Sequence, residues 1–290
     1  TSTRAPTAPP APGSAAADRI VAYNPGPRAQ AEYTDPEALL GEPDLVADPC
    51  CQGMVQLGKR GTVLLAFTDN SIVDGDGPDL QIFGEPTNDD YLLVEVSADG
   101  RTWAAFQRVT ESPDPLDLAD LGVDRAIYVR LTDRQPGTAT GAELDAVVAL
   151  NSSAGPGGNL PPLPDAVTRN DLTLRQEPRM AAGEVVTLPP GAELTLPARS
   201  GNARWVKLET GDGQSGWCRA FEVGLNIDLD DTPVEPVPTQ PAPAATPSPT
   251  STEQPPAGAS PTATPEPSGW LDVTLLPIAT GDLDGPGRLS

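Results

Sequence analysis

The chain reads as all-β: a β-sandwich or jelly roll, then a small β-barrel, joined to Pro/Thr-rich segments expected to be disordered. Three observations carry this reading. The apolar runs are four to eight residues long and rich in β-branched or aromatic side chains. Turn residues bound each run, and few windows sustain a helical period. Finally, 36 prolines and 28 glycines among 290 residues punctuate the chain too often for long helices.

Residues 1–17, TSTRAPTAPPAPGSAAA, are too poor in large apolar side chains to bury a core and read as a flexible or extended lead-in. From 18 to 151 the runs MVQLG, GTVLLAF, DLQIFG, YLLVEVSADG, AIYVRLTD and LDAVVAL follow one another as strands, with the Ala98–Gly100 turn closing a hairpin. Residues 152–166, SSAGPGGNLPPLPDA, read as a linker. A second short β pattern fills 167–231, including LTLRQEP, GEVVTLPPGAELTL and ARWVKLET, and its length suits a small barrel able to fold alone. Residues 232–268 hold twelve prolines among Thr, Ser and Ala. That composition predicts a semi-rigid spacer, about 110 Å long if fully extended. Such stalks are usual outside the cell, which places the chain at the cell surface or beyond it. Residues 269–290 turn apolar again, as the opening of a further module or tail.

Charge narrows the function. A formal net charge of −23 repels phosphate backbones and anionic lipid, and argues against nucleic-acid binding. No histidine is present, which removes Ser-His-Asp and Cys-His chemistry, His-bound zinc and histidine bases. Carboxylate-pair hydrolysis is the main enzymatic option left. The sequence opens at Thr1 with neither methionine, signal peptide nor spanning segment, so it reads as a processed or excised region.

The stretch NSIVDGDGPDLQIFGE, 70–85, carries the sharpest candidate site. Asp74, Asp76 and Asp79 repel one another unless a cation sits among them, and the intervening glycines let carbonyls fold inward. Two readings stay open: a calcium site, or a polar turn whose aspartates cap backbone amides. The spacing is not that of an EF-hand. In the tail, Asp282 and Asp284 open like a calcium loop, but Pro286 takes its fifth position and the loop ends early. Cys50 and Cys51 are neighbours, either a vicinal disulfide or reduced thiols, while Cys218 reads as a small buried hydrophobe. Trp205 and Trp217 are expected in the barrel core, and Trp103 is expected to pack at the sandwich edge.

Two stretches resemble known families. Residues 38–150, with the Asp/Gly loop before a strand, SADGRTW, LADLG, YVRLTD and LDAV, resemble secreted bacterial surface proteins with a discoidin-like β-sandwich. In them the aspartate loop and the closing LDAV recur together, so the resemblance adds Glu85 and Asp145 to Asp74, Asp76 and Asp79 as metal ligands. By strand alternation alone, Glu143 and Asp145 are instead a wet face. Residues 171–229, with LTLRQEP, LPPGAEL and WVKLETGDGQSGW, resemble the bacterial SH3-like domain, whose members bind cell-wall peptides or space other modules.

The expectation is a non-catalytic exported protein: a calcium-stabilised adhesion or recognition module on a stalk. Its partner would be a surface polysaccharide or cell-wall peptide. Two alternatives are a self-assembling subunit of a surface layer or filament, and the targeting part of a wall or polysaccharide hydrolase.

Overall fold

The computed structural model describes residues 14–44, 53–84, 92–109, 114–134, 141–157 and 159–236. Cys50, Cys51, Glu85 and the tail from 237 onward, with Asp282 and Asp284, lie outside the described residues. The chain is all-β, with antiparallel sheets and short 3-10 turns and, among the described residues, no α-helix.

The first half contains β1 (Arg19–Asn24), β2 (Val55–Gln56), β3 (Thr62–Ala66), β4 (Asn70–Val73), β5 (Leu80–Gly84) and β6 (Leu92–Ser97). It continues through β7 (Ala104–Val109), β8 (Asp114–Leu116), β9 (Arg125–Ala126), β10 (Tyr128–Asp133), β11 (Glu143–Ala149) and β12 (Ser152–Ala154). A five-stranded sheet, β1-β3-β10-β6-β7, and a four-stranded sheet, β2-β11-β5-β8, make a β-sandwich, and β12-β4-β9 form a three-stranded sheet. Val63, Leu65, Val96 and Leu131 of the first sheet share one core with Ile82 and Val147 of the second. These positions alternate along each strand, as a pleated sheet requires.

Both ends of this sandwich recruit more chain than composition suggests. Ser14–Ala17, part of the expected lead-in, run beside β11: Ala17 N donates to Val147 O at 2.9 Å and Ala149 N to Ala15 O at 2.8 Å. Alanine is small enough to be covered fully there, and Ala16 and Ala17 are wholly buried. The 152–166 segment is packed too. Ser152–Ala154 pair with β4, and Leu160 and Leu163 lie against Tyr128, whose hydroxyl donates to Pro161 O.

The second half contains β13 (Ala166–Thr168), β14 (Leu172–Arg175), β15 (Glu184–Leu188), β16 (Glu193–Arg199), β17 (Trp205–Thr210), β18 (Ser215–Arg219) and β19 (Val223–Leu225). They form one seven-stranded antiparallel sheet around a separate core of Leu174, Leu194, Val206, Leu208, Cys218 and Leu225. Val206 pairs with Cys218, whereas Trp205 pairs with Arg219 and Lys207 with Trp217. The tryptophans therefore occupy the face opposite this core. Trp217 is buried there and Trp205 only half-buried, while Cys218 takes the core position, where burial pushes its thiol pKa far up. The start of the expected stalk also docks: Arg199 N donates to Pro233 O at 2.8 Å and Lys207 pairs with Glu235 at 2.8 Å.

The second half packs on the outer face of the five-stranded sheet, and charge holds the junction. Arg130 on β10 is fully buried opposite Glu95 on β6. Its Nη1 lies 3.2 Å from Glu95 Oε2, and its Nη2 donates to Asn226 Oδ1 at 2.6 Å. The guanidinium stacks 3.8 Å from the Trp103 ring centroid. Arg169 reaches across from the second half to Glu95 at 2.9 Å and to Thr132 Oγ1 at 2.9 Å. A Cβ on Gly224 would come within 2.2 Å of Arg130 Nη1, so only glycine leaves room for the guanidinium. Burial alone would raise the pKa of Glu95, but Arg169 and Arg130 outweigh it and hold the carboxyl below its usual range. Burial lowers Arg130 to about 10, so both partners are charged at neutral pH.

Removing one partner of a buried pair leaves the other uncompensated, so Glu95→Gln is expected to lower unfolding free energy at pH 7 by about 3 kcal/mol. Because the folded-state pKa of Glu95 is depressed, its contribution is complete above the ordinary carboxylate value of 4.5 and lost as pH falls through the folded value. Urea unfolding of both chains from pH 7 to 3 should show the gap narrowing only at the acid end. A pH-independent gap would assign the loss to something other than this charge.

Candidate metal centre

The loop after β4 turns back on itself because Gly77 adopts φ +79° and Gly75 bridges to Gly77. Gly75 also lies against Asn151, where a Cβ would approach the side chain to 2.6 Å. Asp79, at the loop's end, is fully buried. Its Oδ1 accepts from Gly75 N at 2.9 Å and from Asn151 Nδ2 at 2.8 Å, and its Oδ2 accepts from Leu118 N at 2.9 Å. Its own backbone ties the loop down, with Asp79 N donating to Leu116 O and Leu150 N to Asp79 O.

Asp117 completes the arrangement. It caps a 3-10 turn, Leu118–Leu121, by accepting from Ala119 N at 2.9 Å, and the turn closes at Gly122 in the left-handed conformation. Capping fixes the Asp117 carboxylate beside Asp79, whose Oδ2 accepts from Leu118 N, the first amide of the same turn. Asp74, exposed at the loop's start, is the third member. One carboxylate oxygen from each of Asp74, Asp79 and Asp117 lies within 4.8 Å of the others.

Among the described residues, no lysine or arginine pairs with any of the three. Partial desolvation raises the pKa of Asp74, and the charges of Asp79, Asp117 and Asp124 raise it further. A buried carboxylate bonded only to neutral donors, with two more beside it, forms an anionic pocket that could hold a metal ion. The three side chains supply three oxygens, so a hard cation would take the rest of its shell from carbonyls and water.

The structure thus brings Asp74 and Asp79 together with Asp117. Asp76 is exposed and stands outside the trio. Asp145 is buried, not on a wet face, and its Oδ1 accepts from Asp44 N at 3.4 Å. It sits at the far end of the β5–β11 pairing, where Leu144 faces Gly84, whereas Asp79 bonds to Leu150. Five strand residues separate the two positions, about 17 Å. Glu85 lies outside the described residues. Asp117 was the member of the trio missed, and its signal was an Asp directly before LADLG, a cap in front of a short apolar turn.

Compared with known proteins, the chain matches no protein-family model and no curated protein.

A raised pKa means the folded chain disfavours the ionised form of Asp74, so its charge opposes folding above that pKa and the opposition fades as pH falls. Asp74→Asn is therefore expected to raise the melting temperature at pH 7 in EDTA. The same substitution should have no effect at a pH low enough to protonate the trio. A lower melting temperature in EDTA would show that the carboxylates do not repel.

Proposed function

We propose that this chain is a non-catalytic, exported surface protein whose discoidin-like sandwich is stabilised by calcium at Asp74, Asp79 and Asp117, and that it serves adhesion or recognition. The observation that carries the reading is the trio itself: three converging carboxylates with no cationic side chain among them. Carboxylate oxygens on a glycine-rich loop suit calcium, which accepts six to eight oxygens in adaptable geometry, better than magnesium, which demands a near-ideal octahedron and retains its waters. Export is supported by the Pro/Thr/Ser composition of residues 232–268. No described helix is long and apolar enough to cross a membrane. The resemblance of 171–229 to SH3-like domains supports a recognition role for the second half, with a cell-wall peptide or surface polysaccharide as partner.

Thermal unfolding of the full chain in EDTA and then in rising calcium, with magnesium as control, tests the metal. A site specific to the folded state should contribute about 2.7 kcal/mol at a hundredfold excess over its dissociation constant. The stabilisation should vanish in Asp74→Asn and persist in Asp76→Asn, since only Asp74 belongs to the trio. A shift lost in Asp76→Asn instead, or equal for calcium and magnesium, would overturn this assignment.

A further inference from the structure

The strongest unassigned feature is a cationic cleft where the two halves meet, about 480 Å³ in volume. Lys59 and Arg60 line it from the sandwich, and Arg204, Trp205, Arg219 and Phe221 from the seven-stranded sheet. Among the described residues no acidic one lines it, although the chain carries 41 Asp and Glu against 18 Lys and Arg. In such a chain a cation readily finds a carboxylate. Yet among the described residues the guanidiniums of Arg60, Arg204 and Arg219 make no ion pair and no hydrogen bond. Two acids bind the backbone amides of these arginines: Asp133 accepts from Arg60 N at 2.8 Å and Glu222 from Arg219 N at 3.1 Å.

Aromatic rings hold these cations in place. The Arg60 guanidinium lies 4.1 Å from the Phe221 ring centroid, and that of Arg219 lies 5.7 Å from Phe221 and 5.8 Å from Trp205. Stacking immobilises a guanidinium through its face and uses none of its N–H donors, so the fork stays available at its edge. The backbone gives a second, independent sign. Among the described residues the non-glycine positions with positive φ are Arg28, Arg60 and Ala203. Arg60 and Ala203 line the cleft, and Arg28 follows Pro27, which also lines it. Left-handed non-glycine residues cost energy and gather where a site requires them.

We propose that this cleft is an oxyanion-binding site, which takes a phosphate or carboxylate group of a ligand through bidentate contacts from Arg60 and Arg219, with Arg204 and Lys59 adding charge. Planar guanidinium forks match the two-oxygen edge of either group. Each half of the molecule supplies part of the site, so it exists only while the Glu95–Arg130–Arg169 junction holds. It stands apart from the calcium reading and does not depend on it.

The test is a titration of the full chain with inorganic phosphate and, separately, with glucuronate, following arginine Nε–H resonances at constant ionic strength set with chloride. Saturable shifts at Arg60 and Arg219 are expected. Saturation by phosphate alone assigns a phosphoryl source, and saturation by glucuronate alone a carboxylate source. Arg219→Lys keeps the charge but loses the fork, and should weaken binding at least about tenfold, the scale of one strong charge-assisted bond. Arg60→Gln, at an exposed position, should weaken it comparably, while Asp74→Asn should leave affinity unchanged. Shifts no larger than chloride produces, or affinity unaffected in both arginine variants, would overturn the proposal.

Discussion

The burial of Arg130 is the constraint on which the rest of the structure depends. A guanidinium with no solvent exposure must find acceptor partners and countercharge inside the protein. Glu95 supplies the charge from the neighbouring strand, but that carboxylate also draws Arg169 from the second sheet, and Asn226 meets the far side of Arg130. Trp103 closes one face of the guanidinium and Gly224 leaves space for its Nη1. Each group in this set comes from a different strand or loop. Satisfying one arginine therefore joins two separate hydrophobic cores into one compact unit.

Around that junction the charges are sorted in an unusual way. Among the described residues, the carboxylates of Asp74, Asp79 and Asp117 converge with no cation, and three guanidiniums line one cleft with no carboxylate. Clusters of one sign oppose folding through self-repulsion, and ions from solution relieve that repulsion. The two clusters differ in how they are held. Backbone amides fix Asp79 and Asp117, which accept from the first amides of one 3-10 turn. Aromatic faces fix the guanidiniums of Arg60 and Arg219, which preserves their donors.

Strands were largely legible because their signals are local. TVLLA and YVRLTD declare themselves through β-branched content and through the turn residues around them. The SADGRTW hairpin is equally explicit: the Ser97 hydroxyl accepts from Gly100 N, Asp99 accepts from the amides of Arg101 and Thr102, and Trp103 Nε1 donates to Gly100 O. Gly100 sits at φ +72° against Leu163 and Tyr128, which leaves no room for a side chain. Two of the three carboxylates were equally plain, because Asp74 and Asp79 share one loop. Asp117 was hidden because it arrives from a loop 38 residues further on, and a capping aspartate looks the same whether or not it also faces two others.

What the sequence by itself determined is the all-β class, the order of most strands and the acidic loop, since alternation, turn chemistry and charge spacing act over a few neighbouring residues. The tertiary structure alone decided which faces are wet. Arg130 and Glu95 occupy alternating positions that read as solvent-facing, and they are buried because a sheet formed some seventy residues later lies on top of them. Asp145 is buried on β11, where Asp44 N reaches its carboxylate, and Trp205 lines a cleft. A pleat dictates that successive side chains point to opposite sides, but only the packing of distant chain determines what waits on each side.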